Sequence, residues 1–299
     1  MADFNTPQNH RIIVPVDFSE SSKNASEYAI EMAKLFDSEL VLLYVLNERR
    51  FASILTGSDT KQLIKDGITN KLESYKKELQ ELHPQARVST LIEDGKPYKV
   101  VEDLTEQENV DLVVMGTNGE SGIERFIGST TRRVMSSSHV PVVAVKEGKV
   151  NPSFDNIVLP IDLTKTSKQK VAWATKLAKK FDSTIHIISE VEKDKFLKNR
   201  LDKNLKQVEA YIAEKGVRSV TKMLDDQRYP DHIGKDTIKY AEEIKADLIV
   251  IMTQQEIKGL SQVFIGNYAE QVVASSDQTP VISINPRKTT RFEGSEGFY

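Results

Sequence analysis

Glycines and hydroxyl residues packed into one loop carry the clearest chemical signal in this chain. They lie in Asp111 to Lys146, DLVVMGTNGESGIERFIGSTTRRVMSSSHVPVVAVK, which reads as strand, glycine-bearing loop, helix, strand. Asp111 to Met115 is a short β-branched run ending at Gly116, the pattern of a buried parallel strand. Gly119, Gly122 and Gly128 punctuate the polar loop. Ser129 and Thr130 are N-cap residue types opening a short helix through Met135, and Pro141 to Val145 is a second apolar strand. Backbone N–H groups in such a loop, feeding a helix N-terminus, form an anion site: they lack partners and the helix dipole is positive there. The chemistry implied is a phosphate cradle. The same glycines also suit a plain βα turn that needs positive φ, so the spacing alone leaves both readings open.

Composition narrows the choice. The 299 residues are 39% hydrophobic and 28% charged, enough to bury a sizeable core. A net charge of −3 gives no electrostatic footprint for nucleic acid. No apolar run reaches the length of a membrane span, and the start MADFNTPQNH lacks a basic-then-apolar signal pattern. The absence of cysteine excludes disulfides, thiol catalysis and cysteine-based metal centres, and fits a cytoplasmic location. The five histidines, His10, His83, His139, His186 and His232, are scattered without ligand spacing. A metal-centred enzyme is not expected; Mg²⁺ arriving on a nucleotide is the one metal the pattern allows.

The elements that must hold the loop occur twice. Arg11 to Val16 is a buried strand, and Asp17-Phe18-Ser19 starts a helix that buries Tyr28, Ala29, Met32, Ala33 and Phe36. Glu39 to Leu46 is the next strand. Ile64, Ile68, Leu72, Tyr75, Leu79 and Leu82 stripe a long helix from Lys61 to Leu82. Arg87 to Ile92 alternates like a strand, and Tyr98 to Gln107 makes another helix before the glycine-bearing stretch. Strands alternating with helices argue a parallel α/β sheet. After the polar segment Glu147 to Asn156 the order repeats at an offset of 145 positions, since Asp162 follows NIVLPI as Asp17 follows RIIVPV. Pro15 then matches Pro160, Ser22-Lys23 matches Ser167-Lys168, and Phe36-Asp37-Ser38 matches Phe181-Asp182-Ser183. Asp247 to Thr253 answers Asp111 to Gly116, and Thr279 to Ile284 answers Val140 to Val145. The chain therefore divides into residues 1–148, residues 149–286 and a polar tail, 287–299. Two copies make a pair of domains and not a solenoid.

Taken together, IIVPVDFSESSKNASEYA, the YVL that ends the second strand, and MGTNGESGIERFIGS followed by VPVVAVK resemble a tandem universal stress protein, with two family domains covering nearly all of the chain. The resemblance implies two Rossmann-like domains of the adenine-nucleotide-binding type, each a five-stranded parallel sheet with helices on both faces. It also implies ATP at the carboxyl ends of the strands, at the switch point of the sheet. Carried over residue by residue, Pro15, Val16, Asp17 and Val45 line the adenine. Met115 and Gly116 sit by the ribose and phosphates, and Gly119, Gly128, Ser129 and Thr130 cradle the phosphates. Family members commonly pair through their last strands, which implies an intrachain pseudo-dimer through Val140–Val145 and Val281–Ile284 that buries two edges. A further homodimer is compatible with that pairing.

Both loops depart from the family pattern Gly-x2-Gly-x9-Gly-Ser. Gly119 to Gly128 encloses one residue fewer, a loss that Gly122 would have to absorb. In MTQQEIKGLSQVFIGN of the second half, Thr253 stands for the first glycine, Glu256 for the second and Asn267 for the serine. A side chain at each position blocks close approach, and Glu256 brings negative charge toward phosphate. ATP binding is thus expected in the first domain alone, with the second as structural partner. Arg125, Arg132 and Arg133 are weaker phosphate candidates; Trp173, at the position of Tyr28, is packing.

No catalytic machine assembles from these residues. There is no Walker-type Gly-Lys-Ser/Thr, no supported Ser–His–Asp set and no general base beside the loop. The expected role is regulatory nucleotide binding with slow hydrolysis at most. The alternative, from a different class, is an interaction module without nucleotide that recognises a protein or a small apolar ligand.

Overall fold

The computed structural model describes residues 10–47, 58–106, 109–117, 127–146, 152–163, 167–224, 233–253, 267–276 and 279–286. The chain divides into two compact units, Met1–Pro152 and Ser153–Tyr299. Gly119, Gly122, Arg125, Glu256 and the tail 287–299 lie outside the described residues.

In the first unit β1 (Arg11–Pro15), α1 (Glu20–Phe36), β2 (Glu39–Leu46), α2 (Ser58–Leu82), β3 (Val88–Asp94), α3 (Pro97–Glu106), β4 (Val110–Gly116), α4 (Ser129–Ser137) and β5 (Val142–Val145) follow in order. The strands lie side by side as β3-β2-β1-β4-β5, every neighbouring pair parallel. Successive β1 residues Ile12, Ile13 and Val14 are all buried. A strand whose adjacent side chains point to opposite faces buries all of them only if both faces are covered, which is the mark of a central parallel strand under helices. The stripe of α2 buries Leu72, Tyr75 and Leu79, while Leu82, at its last turn, is left exposed.

The second unit repeats the plan with β6 (Asn156–Pro160), α5 (Ser167–Phe181), β7 (Thr184–Glu190), α6 (Lys195–Glu214), β8 (Arg218–Leu224), α7 (Ile233–Glu243), β9 (Leu248–Met252), α8 (Asn267–Ser275) and β10 (Val281–Ile284). Its order is β8-β7-β6-β9-β10, again all parallel. The duplication reaches individual atoms. Asp37 and Asp182 end α1 and α5 in the left-handed region, φ 55° and 53°. The Ser38 N–H donates back to Ala33 and the Ser183 N–H to Ala178, closing the same helix stop in both units. Arg87 and Arg218 then donate Nη2 to the carbonyls of Asp37 and Asp182, each at 2.5 Å.

Gly116 is fixed by packing. A Cβ built there would stand 2.1 Å from Ser21 Oγ and 2.5 Å from the Ser21 carbonyl oxygen. Only a glycine lets the first turn of α1 come this close to the end of β4. Replacing Gly116 with alanine is expected to destabilise the protein by about 1–3 kcal/mol, the range for forced overpacking. A urea midpoint equal to the wild type's, read by far-UV circular dichroism, would contradict this.

Candidate functional site

The strand order reverses direction between β1 and β4, where their carboxyl ends lie side by side with Ile13 opposite Val113. Loops leaving two such strands diverge and open a crevice. Pro15, Val16 and Asp17 approach it from β1, Met115 and Gly116 from β4. Val16 and Met115 are buried, Pro15 and Gly116 half-buried, and Asp17 exposed. Val45 is half-buried at the end of β2, one strand away.

Asp17 is held by a closed ring of hydrogen bonds. Its Oδ1 accepts from the Ser19 N–H at 3.0 Å and from Ser19 Oγ at 2.5 Å. Ser19, the N-cap of α1, accepts in turn from the Ser22 N–H at 3.3 Å. Ser22 Oγ donates to the Ser19 carbonyl at 2.9 Å and accepts from the Asp17 N–H at 3.4 Å. This ring orients the carboxylate and leaves Oδ2 without a hydrogen bond among the described residues.

On the far side α4 begins at Ser129, so the capping residue is Gly128 and not the serine that the sequence suggested. Gly128 has no side chain to cap with, and no side-chain cap bond forms. Its N–H is already committed to the Thr117 carbonyl at 2.9 Å, so Gly128 contributes position and not a donor. Thr131 Oγ1 donates to the Gly116 carbonyl at 2.9 Å, which ties the helix start to the end of β4. The first hydrogen bond within α4 runs from the Arg132 N–H to the Gly128 carbonyl. The amides of Ser129 and Thr130 have no partner among the described residues, and both residues are exposed. What remains for an anion is therefore the first turn of α4: two amides, two hydroxyls and the positive end of the dipole. Arg133 points elsewhere, with its guanidinium 4.9 Å from the ring centroid of Tyr98 on α3.

The second unit fills the equivalent crevice differently. The Thr253 N–H donates to the Ile284 carbonyl as the Thr117 N–H donates to Val145, so Thr253 corresponds to Thr117. The residue at the position of Gly116 is therefore Met252, opposite Ile284 as Gly116 is opposite Val145. The reading that set Thr253 in place of the first glycine is corrected by one position. The family spacing that ends at Gly266 reaches back only to Thr253, because this loop is one residue longer than that pattern. Glu190 occupies the position of Val45, and Lys170 that of the fully buried Ala25. Lys170 is only 4% exposed. Burial pulls its amine down to about 8, against the opposing pull of the Asp162 carboxylate. Tyr268, on α8, is half-buried, its hydroxyl 3.1 Å from Thr237 Oγ1. Burial and the Asp162 and Glu190 carboxylates push the Tyr268 hydroxyl above its ordinary range, against that hydrogen bond. Lys170 escaped the sequence reading, although matching Ser167-Lys168 to Ser22-Lys23 already sets it opposite Ala25.

Among the described residues no group of histidines and carboxylates could hold a metal ion, and no helix is long and apolar enough to cross a membrane. Two tandem units, each with five parallel strands in doubly wound order and a switch point between its first and fourth strands, define the class of protein. The sequence model described as the universal stress protein family matches residues 8–146 and 153–283, and the chain belongs to that family, with two of its domains. A universal stress protein of Methanocaldococcus jannaschii is 32% identical over 143 residues, which is 46% of this chain and 83% of that protein. The crystal structure of a universal stress protein from Archaeoglobus fulgidus shares the fold with a TM-score of 0.73, at 23% identity, over 94% of this chain and 100% of that one. Another Archaeoglobus fulgidus universal stress protein, solved in complex with dAMP, is 15% identical over 45% of this chain, with a TM-score of 0.36.

The buried amine of the second domain has a measurable signature. Its pKa is depressed when folded, so the charged form is favoured in the unfolded chain. Lys170 thus costs stability below about pH 8, and that cost is relieved as pH rises from about 8 toward the ordinary 10.5. Trp173, the single tryptophan, lies on the same helix and reports this unit. Urea midpoints read by its fluorescence should rise with pH across that interval, relative to Lys170→Met, whose profile should be flatter. Parallel profiles would remove the argument.

Proposed function

We propose that this chain is a regulatory adenine-nucleotide-binding protein. Its first domain takes ATP, with any Mg²⁺ arriving on the phosphates, and its second domain serves as structural partner through the last strands. The observation that supports this best is the uncapped start of α4. A helix N-terminus normally satisfies its donors with a side-chain cap. Here the cap is a glycine followed by two hydroxyl residues, and across the switch point, after the paired strand β1, stands the carboxylate of Asp17. Phosphate oxygens suit the former, while the exocyclic amine of adenine, a donor, suits the open oxygen of the latter. The mixture of ligand groups that such a crevice can satisfy is that of a nucleotide.

In the second domain the same logic argues for loss. Met252 adds bulk at the position of Gly116, Glu190 adds negative charge at the position of Val45, and Lys170 is buried with Asp162. Among the described residues no metal cluster and no base paired with a hydroxyl accompanies the site in the first domain, so binding and retention of the ligand is the activity proposed, with hydrolysis slow at most.

Isothermal titration with ATP and Mg²⁺ should give one site per chain. Gly128→Asp provides the sharper check, because an N-cap aspartate accepts from the amides that would otherwise hold phosphate. The variant should be as stable as the wild type or slightly more so, and its ATP affinity should fall at least tenfold, the effect of about 1.4 kcal/mol. No saturable ATP binding by the wild type would refute the proposal, as would undiminished binding by the variant.

A further inference from the structure

Phe18 adopts φ 64°, the left-handed region that a bulky side chain rarely enters and occupies at a cost. It follows Asp17 directly, in the turn between β1 and α1. A glycine would make that turn without strain, so the turn itself gives no reason for a phenylalanine. What the conformation achieves is the placement of the ring. It stacks on Tyr44, with centroids 5.5 Å apart and planes 29° apart. Lys71 Nζ, on an exposed arm of α2, lies 4.2 Å from its centroid. Tyr44 adjoins Val45 at the end of β2, and both aromatic residues are half-buried. In the second domain Leu163 and Ser189 hold the matching positions, and Leu163 is not among the residues with positive φ. Strain and aromatic pair thus occur together beside Asp17, and both are missing from the domain whose crevice is filled with charge.

Resting on the nucleotide reading above, we infer that the Phe18 ring is the stacking platform for the base of the bound nucleotide, and so sets a preference for base-bearing ligands over bare polyphosphate. Every base has a π-face, and stacking on an aromatic ring stabilises it largely regardless of base identity. Lys71 is the group that the base replaces over the ring, since an exposed cation–π contact is weak and its long side chain has other places to go. The Asp17 carboxylate, accepting from the exocyclic amine, then reads the edge of the base that Phe18 holds by its face.

The test compares ATP with inorganic tripolyphosphate, by calorimetry, on the full chain. Phe18→Gly relieves the backbone and removes the ring. It should weaken ATP binding about tenfold or more and leave tripolyphosphate binding unchanged, whereas Phe18→Tyr, which keeps the π-face, should bind ATP like the wild type. Phe18→Leu keeps bulk without the π-face and gives the same comparison should the glycine variant fail to fold; it too should lose ATP affinity. Wild-type affinity for ATP in the glycine or leucine variant overturns the inference and leaves the nucleotide reading standing. Equal weakening for ATP and tripolyphosphate also overturns it, since the ring would then act through the fold. Failure of the wild type itself to bind ATP removes the underlying reading, and this inference with it.

Discussion

The contact between Gly116 and Ser21 is the constraint on which the rest of the first domain depends. With no side chain at Gly116, the start of α1 lies against the end of β4, and the carbonyl of Gly116 remains available to Thr131. One residue thereby positions both walls of the crevice: the Asp17–Ser19–Ser22 ring at the head of α1, and the first turn of α4. The sequence pattern presents Gly116 as a phosphate glycine. Its physical requirement is steric, and any ligand role comes second to that packing.

Much of this was legible beforehand, for reasons that differ from element to element. Buried parallel strands announce themselves as unbroken apolar runs, so β1, β2, β4 and their counterparts needed no structure to be found. The offset between Asp17 and Asp162 likewise delivered the duplication, because strand ends followed by caps are short, rigid and easy to align. Loops were harder. A loop of variable length cannot fix the correspondence of Thr253 from its far end, whereas strand pairing fixes it from the near end. At α4 residue type points to Ser129 as the better cap, but the helix starts one residue earlier and Gly128 takes the capping position. Phe18 and Lys170 were invisible for another reason. A left-handed φ and the burial of an amine are properties of surroundings, not of residue type, and only comparison of the two halves hints at either.

That comparison also clarifies what kind of divergence has occurred. In the first domain the crevice is lined by small groups and by polar atoms with capacity to spare. In the second, a lysine amine is taken out of water next to an aspartate, which raises no obvious benefit for folding, since an apolar residue of similar volume is generally as good or better. The second domain thus keeps the sheet and carries charged side chains at positions that are apolar in the first. Tyr268 and Thr237 satisfy one another, as the buried threonine hydroxyl requires.

The matched stops at Asp37 and Asp182, each clasped by an arginine at or just before the start of the next strand but one, lie at the amino-terminal side of the strands, opposite the crevices. Divergence between the halves is concentrated at one pole of the sheet, and sameness at the other. Such polarity makes the scaffold modular: the pole bearing the arginine clasps sets chain reversal and strand register, and the pole bearing the loops is released from that duty. Loops exchanged between the halves would arrive on ends already shaped to receive them, so recognition can be rewritten without renegotiating how the chain folds.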